Sequence, residues 1–154
     1  MTKIPIKTES IAPRIDGITK DLKKLRQLAS LPKKDFCNTE NDYLDIAKAR
    51  LHEALEGVFH IGAHILSRIE GGRSTEYKDI AKKLGEFKVV DKKFADGVLT
   101  FMAGYRNRLV HFYAEIKPEE LHEILQNNLG DFDVFLSAVK NVLEHPEKFG
   151  LEIE

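Results

Sequence analysis

The chain has 154 residues, with 24 Lys or Arg, 25 Asp or Glu and a formal net charge of −1 at pH 7. This balance excludes a nucleic-acid binder that works by bulk positive charge, so contact with RNA would require a local basic cleft. The 42% hydrophobic and 32% charged residues are typical of a soluble globular protein, and the length predicts one domain, residues 1–154. No apolar run reaches the length of a membrane span and no secretory leader is visible, so we expect a cytoplasmic protein without a membrane partner.

One cysteine and two histidines bear on metal and cofactor chemistry. Cys37 is the only cysteine, so one chain can form neither a disulfide framework nor a thiolate metal cluster. His60 and His64 have the spacing that can place two imidazoles of one helix on a metal ion. No third ligand occurs at a characteristic spacing in the sequence, and no Glu follows His60. We therefore interpret both histidines as residues that pack between helices rather than as metal ligands. We expect no cofactor and no metal, with a metal-binding helical bundle as a weaker alternative.

The first helix is predicted to begin near Asp16. Residues 1–13 show no clear hydrophobic period, and we expect them to form a loose N-terminal arm. After Asp16, apolar residues recur at helical spacing: Ile18, Leu22, Leu25 and Leu28. Pro32 then predicts the end of this amphipathic helix.

A long helix is predicted from Asn38 or Thr39, either of which can cap it, through about Glu70. Apolar residues keep one face of this helix for about eight turns, which is typical of the central helix of a bundle. Gly57 and Gly62 lie within a wide apolar arc. Because both side chains are minimal, we expect other helices to approach closely there.

Two further helices are predicted before the last one. Ser74 or Thr75 opens a short helix through about Leu84, and Asp91 is placed to cap a motif helix that follows. The core stripe of this motif helix has helical spacing: Phe94, Val98, Phe101, Met102 and Tyr105.

The last helix is predicted to start at Pro118 and to run to about Glu144. Its apolar positions stay in phase across Gly130, which predicts one helix rather than two, and Pro146 ends it. No segment of useful length has the alternation of a strand. The predicted fold class is therefore all-α, an antiparallel helical bundle of about five helices.

Polar residues crowd at the end of the motif helix: Arg106, Asn107, Arg108, His111 and Tyr113. A guanidinium binds phosphate oxygens and an imidazole can move a proton near neutral pH, so this set suits transfer at a phosphodiester. An ideal helix places His111 roughly 140° round from Arg106 but close to Asn107, whose amide can hydrogen-bond the imidazole. One helix does not direct both groups at one atom unless it bends or a second copy contributes. The same spacing also fits a plain amphipathic helix end with surface arginines.

Arg106, His111 and Tyr113 form the pattern R-x4-H-x-Y, with a polar residue, Asn107, after the arginine. On these residues the segment 101–113 resembles the HepT-like toxins of the HEPN (higher eukaryotes and prokaryotes nucleotide-binding) superfamily, and the resemblance extends over residues 16–143. It implies a metal-independent endoribonuclease that works as a homodimer, with the motifs of both subunits at one cleft. It also implies a partner, a small nucleotidyltransferase antitoxin of the MNT type that transfers AMP to Tyr113.

The resemblance implies a role for each motif residue. His111 is expected to move the proton of the RNA 2′-hydroxyl and Arg106 to stabilise charge on the phosphate, with Asn107 and Arg108 in support. Many members of the family have an acidic residue where this chain has His60, and this departure leaves open whether a supporting carboxylate is retained. A non-catalytic HEPN module that binds a nucleotide or a protein is the alternative function.

A second stripe on the motif helix fits either a dimer contact or a contact with the first helix. It consists of Leu99, Arg106, Val110 and Tyr113, and it is partly apolar. Such a stripe is typical of a self-complementary interface, although it fits a contact with the first helix equally well.

Overall fold

The computed structural model describes residues 3–111 and 115–154, and within them the chain is helical without an extended strand. The predicted all-α class is therefore confirmed. The helices are α1 (Thr8–Ala29), α2 (Lys33–Phe36), α3 (Tyr43–Ser67), α4 (Tyr77–Glu86), α5 (Lys92–Phe94), α6 (Thr100–His111), α7 (Pro118–Asn127) and α8 (Gly130–Glu144). A π-helical segment, Ala95–Leu99, joins α5 to α6, and a 3-10 turn, Pro146–Phe149, follows α8.

The antiparallel pair of α1 and α3 forms the centre of the bundle. Gly57 of α3 lies against Ile18 of α1, and a Cβ atom at Gly57 would stand 2.9 Å from Cγ1 of Ile18. Gly62 allows α4 to approach in the same way, because its Cβ would stand 2.9 Å from Cδ1 of Leu84. The predicted close approach at both glycines is confirmed.

Residues 6–13 belong to the folded domain, which corrects the expectation of a loose arm through residue 13. Helix α1 already begins at Thr8, and Ile6 and Ile11 are fully buried. The backbone N–H of Ile6 donates to the carbonyl of Glu152 at 2.8 Å, so the two ends of the chain are tied together. Sequence periodicity does not predict this contact because it joins residues far apart in the chain, and Pro13 inside α1 hides the start of the helix.

Two helix starts lie later than predicted. Helix α3 begins at Tyr43 rather than at Thr39, and the side chain of Asn41 accepts from the Tyr43 N–H at 3.0 Å. Helix α4 begins at Tyr77. The cap at Asp91 is confirmed, since its carboxylate accepts from the N–H of Lys93 at 3.2 Å.

The C-terminal part contains two helices, so the prediction of one continuous helix is wrong. The chain turns between the end of α7 at Asn127 and the start of α8 at Gly130. The apolar pattern runs through this turn because both helices bury one face in the same core. Asn128 and Gly130, both poor helix formers, stand where the helix is interrupted.

The π-helical segment changes which residues of the motif helix are buried. Phe101 was expected in the core, but it is 58% exposed, whereas Ala95 and Leu99 are fully buried. A π turn holds more residues than an α turn, so it rotates the residues that follow relative to those before it. Met102 and Tyr105 return to the core. None of the helices in the two described ranges is long and apolar enough to cross a membrane.

Candidate functional site

Arg106 is held against the centre of α3 by a carboxylate and an aromatic ring. Its Nε donates to Oε1 of Glu56 at 2.5 Å, and its guanidinium carbon lies 4.3 Å from the ring centre of Tyr77. The hydroxyl of Tyr77 donates to the other oxygen of Glu56 at 2.7 Å. The Arg106 and Glu56 side chains are 23% and 21% exposed, so the pair is shielded but reachable from solvent.

This arrangement keeps Glu56 ionised. Burial raises the pKa of Glu56, but the hydrogen bonds from Tyr77 and Arg106 and the charge of Arg106 outweigh it, and the pKa lies below its usual range. For Tyr77, burial and the hydrogen bond to Glu56 raise the pKa to about 12, so the phenol stays protonated and can donate. Arg106 is therefore oriented by a fixed negative charge.

Two histidines flank Glu56, and a second arginine contacts one of them. His52 and His60, one turn before and one turn after it on α3, place their Nε2 atoms 3.3 Å and 3.5 Å from its carboxylate oxygens. Arg14 of α1 reaches Nδ1 of His60, with 2.7 Å between the nitrogens. Burial, followed by the charge of Arg14, lowers the pKa of His60, which favours the neutral ring. With Nδ1 accepting from Arg14, the remaining proton is on Nε2, facing Glu56.

His111 lies on a different side of α6 from Arg106. The helix is continuous from Thr100 to His111, and it ends with the exposed imidazole of His111. A regular helix separates residues five apart by roughly 140°, so one protomer does not direct Arg106 and His111 at the same phosphate. Tyr113, the expected AMP acceptor, lies outside the described residues.

The two predicted supporting residues have different surroundings. Oδ1 of Asn107 accepts from Nη1 of Arg106 at 3.2 Å, so this amide contacts the arginine. Arg108 forms a two-armed pair with Glu120 of α7, with N–O distances of 2.5 Å and 3.1 Å, and lies over the ring of Tyr105. Arg108 therefore ties α6 to α7, away from the contacts that hold Arg106.

A cleft of about 560 Å³ opens beside Arg106, between α1 and α3. We call it the α1–α3 cleft. Its volume is within the usual range for small-ligand sites. Its polar lining comes from three helices: Arg14 and Asp21 of α1, His52, Glu53, Glu56 and His60 of α3, and Arg106 of α6.

The stripe that fits a dimer contact or a contact with the first helix is only partly on the surface. Val110 is 43% exposed and lines the α1–α3 cleft next to Arg106. Leu99, however, is fully buried, so it belongs to the protein core. Of the stripe residues that the structure describes, Arg106 and Val110 lie at the rim of the cleft and Leu99 lies in the core.

Sequence reasoning missed Glu56, Tyr77 and Arg14. Glu56 is 50 positions from Arg106 in the chain, so motif spacing does not connect them. The available signal is the polar row His52, Glu56 and His60, which repeats every four residues along one side of α3. The family resemblance led us to ask whether a carboxylate is retained although His60 stands where many members have an acidic residue. Glu56, one turn earlier on α3, provides a carboxylate to Arg106.

The histidines considered as metal ligands have other partners. Nε2 of His64 accepts from the backbone N–H of Lys7 at 3.1 Å, and His60 contacts Arg14. Among residues 3–111 and 115–154, no three His, Cys, Asp or Glu side chains are grouped so that they could hold a metal ion.

Comparisons with known proteins assign the chain to one family. A family model described as ribonuclease HepT-like matches residues 18–139. The tRNA nuclease HepT of Aphanizomenon flos-aquae (strain 2012/KM1/D3) is 23% identical over 133 residues, covering 86% of this chain and 89% of that protein. The mRNA nuclease HepT of Shewanella oneidensis is 26% identical over 133 residues, covering 84% and 96%.

Two solved structures share the fold. A crystal structure of a toxin–antitoxin complex with AMP-PNP aligns with a TM-score of 0.73 and 22% identity, covering 84% of this chain and 96% of that one. The tri-AMPylated HEPN toxin of Shewanella oneidensis, in complex with an MNT antitoxin, aligns with a TM-score of 0.74 and 23% identity over the same shares. The family match spans most of the chain, and the predicted resemblance is confirmed. The chain belongs to the HepT-like ribonuclease family.

Proposed function

We propose that this protein is an endoribonuclease toxin that cleaves RNA without a metal ion. The observation that carries the proposal is Arg106, a motif arginine that Glu56 and Tyr77 hold at the rim of a ligand-sized cleft. Membership of the HepT-like family supports it, as do the relatives named tRNA nuclease and mRNA nuclease. The class of RNA differs between these two relatives, so the proposal extends to RNA in general.

The proposed reaction uses the 2′-hydroxyl of the RNA as the nucleophile. His111 takes the proton from this hydroxyl, the oxygen attacks the adjacent phosphorus, and the bond from phosphorus to the 5′-oxygen of the next nucleotide breaks. The leaving 5′-oxygen takes a proton from water, and the proton on His111 returns to solvent. Arg106 stabilises the negative charge that grows on the phosphate oxygens. The products are a 2′,3′-cyclic phosphate and a 5′-hydroxyl end.

The proposed site is composite and belongs to a homodimer. Arg106 and His111 diverge on a continuous helix, so an imidazole from a second chain is the simplest way to bring both groups to one phosphate. The exposed Val110 beside Arg106 supplies apolar surface for such a contact. We propose that each cutting centre pairs Arg106 of one subunit with His111 of the partner subunit.

Asn107 and Arg108 have separate supporting roles in this proposal. Asn107 contacts Arg106 and lies one turn before His111, so it can link the guanidinium to the imidazole. Arg108 stabilises the end of α6 through Glu120 and Tyr105. The first role acts on reacting groups, whereas the second acts on the helix that carries them.

We further propose a cognate nucleotidyltransferase antitoxin of the MNT type that transfers AMP to Tyr113. Support comes from the solved toxin with the same fold, which is described as tri-AMPylated and bound to an MNT antitoxin. Tyr113 belongs to the same R-x4-H-x-Y motif as Arg106 and His111. An added AMP group would place a bulky anion beside the arginine and obstruct the RNA.

The direct experiment is RNA cleavage in EDTA by the wild type, Arg106→Ala and His111→Ala. We expect cleavage by the wild type and a loss of about 100-fold or more in each variant. Arg26→Ala is the matched control, because Arg26 pairs with Asp133 on another side of the bundle. Equal rates in all proteins would remove Arg106 and His111 from the mechanism. Nucleotide binding without cleavage at any pH would favour the non-catalytic module.

A further inference from the structure

The α1–α3 cleft has a basic end and an acidic end. Arg14 and Arg106 line the cleft near His60, where Arg106 is paired with Glu56, and Asp21 and Glu53 line it farther along the two helices. Arg14 and Asp21 are seven residues apart on α1, which is about 10 Å along the helix axis. This separation is comparable to the span of one nucleotide from its phosphate to the far edge of its base.

Asp21 is the most unusual polar group of the cleft. Its side chain is 1% exposed, and Oδ1 accepts from Nη1 of Arg50 at 3.2 Å. Oδ2 is buried and has no hydrogen-bond donor among the described residues. Buried carboxylate oxygens without a donor are rare, because their desolvation is then uncompensated. The carboxyl group of Glu53 lies within hydrogen-bonding reach of Asp21 and favours a proton between the two groups, so this end of the cleft fits a ligand that donates hydrogen bonds.

Gly17 makes room for a flat ligand between the two ends. It lies between Arg14 and Asp21 on α1 and lines the cleft, and nothing lies within 4 Å of where its Cβ would be. Pro13, Ile18 and Val110 are apolar residues of the same lining. A base can therefore lie against α1 while its edge reaches Asp21.

We propose that the α1–α3 cleft binds one nucleotide of the RNA, with its phosphate between Arg14 and Arg106 and its base amino group donating to Oδ2 of Asp21. This site rests on the proposed function and adds a base preference to it. Guanine fits best, because its pairing edge presents adjacent N–H donors to a carboxylate. Uracil presents one N–H between two carbonyl groups, which the carboxylates of Asp21 and Glu53 would repel.

The test measures binding to RNA that cannot be cut. The probes are 2′-O-methyl oligonucleotides of uridine with one central guanosine, inosine or uridine, and the readout is fluorescence anisotropy. The wild type should bind the guanosine probe about tenfold more tightly than the uridine probe, with inosine in between because it lacks the amino group. Asp21→Asn should remove this preference. Equal affinity for the three probes, or an unchanged preference in Asp21→Asn, would overturn the proposal.

Two other variants test the remaining parts of the site. Arg14→Ala should weaken binding of all probes about equally and lower the salt dependence by about one phosphate contact, whereas Arg26→Ala on the same helix should not. Gly17→Phe should block the cleft and abolish binding, and Gly97→Phe, with equally open space elsewhere, should not. Thermal unfolding confirms that each variant is folded. Normal binding by a folded Gly17→Phe protein would contradict the site.

These results are distinguishable from those that test RNA cleavage. If unmodified RNA is not cut in EDTA but the guanosine preference depends on Asp21, the nucleotide site stands and the nuclease proposal fails. If RNA is cut but Asp21→Asn keeps the preference, the opposite holds. Sedimentation of the same variants is a third measurement. If Gly17→Phe and Asp21→Asn disrupt a dimer without changing probe binding, the cleft is a contact between subunits, and the nucleotide site is rejected.

Discussion

Arg106 and Glu56 join α6 to the middle of α3, with 2.5 Å between Nε and Oε1. The same carboxylate accepts from Tyr77 of α4, so three helices converge on one charge. This contact explains how an arginine near the end of a helix is held in one orientation. Pre-ordering a cationic group in this way lowers the cost of orienting it when charge develops on a phosphate.

Removing the Glu56 carboxylate should impair cleavage by releasing Arg106. In Glu56→Ala, Arg106 and Tyr77 lose their shared acceptor, and we expect kcat to fall about 10- to 100-fold because the guanidinium is misplaced. Glu56→Gln keeps one acceptor oxygen, so it should retain more activity. Steady-state cleavage rates measure both effects.

An ion pair elsewhere between helices is the control for this experiment. Arg26 and Asp133 join α1 to α8 with side chains about half exposed. Asp133→Ala should change stability by less than about 1 kcal/mol and leave kcat unchanged. A kcat in Glu56→Ala equal to that of Asp133→Ala would show that Glu56 does not position Arg106.

Modification by the proposed antitoxin should add AMP to one tyrosine. After incubation with ATP and the nucleotidyltransferase, we expect the intact mass to rise by one or more AMP units, and Tyr113→Phe to abolish the rise. Tyr105→Phe is the control, because Tyr105 is 4% exposed and its hydroxyl is buried. Equal modification of Tyr113→Phe and the wild type would rule out this acceptor.

A charge at Val110 should weaken the proposed homodimer. Val110 is 43% exposed next to Arg106, and an aspartate there would be buried against the partner subunit. We expect Val110→Asp to raise the dimer Kd at least about tenfold in analytical ultracentrifugation, and to reduce cleavage at low protein concentration. Val134→Asp, at a 50% exposed valine of α8, should leave the dimer intact. A monomeric wild type would contradict the composite site.

Asp21 should make stability depend on pH in the direction opposite to an ordinary paired carboxylate. Burial, followed by the charge of Glu53, raises the pKa of Asp21 to about 6 in the folded protein. Between about pH 4 and 6 the folded state therefore keeps a proton on Asp21 that the unfolded state has lost. The raised pKa contributes to the free energy of unfolding at low pH, and this contribution is lost as pH rises through 6. Relative to Asp21→Asn, the wild type should lose about 1–2 kcal/mol between pH 5 and 8 in urea unfolding. A difference that stays constant with pH would contradict this.

The bundle could be predicted from the sequence because its helices obey local rules. Helical spacing predicts the two long helices α1 and α3, and the minimal side chains of Gly57 and Gly62 predict where other helices approach. The errors arise where tertiary contacts override the local pattern. Ile6 is ordered by a pairing with residues near the other end of the chain, and the π-helical segment moves Phe101 to the surface.

The site could be predicted only in part, for a similar reason. Arg106 and His111 stand in one short motif, so their chemistry can be inferred from neighbouring letters. Glu56, Tyr77 and Arg14 come from other helices, and only the folded chain brings them to Arg106. Arg108 is the opposite case. Its position in the motif predicts a role in the site, but its side chain contacts Glu120 of α7.

The most direct measurement of the composite site is cleavage in EDTA by mixed dimers. One subunit carries Arg106→Ala and the other His111→Ala, with a different tag on each so that the heterodimer can be purified. One centre of this heterodimer keeps both intact groups, so we expect about half of the wild-type rate, whereas each homodimeric variant is inactive. A heterodimer as inactive as the two homodimers would contradict the pairing of Arg106 with His111 across the interface.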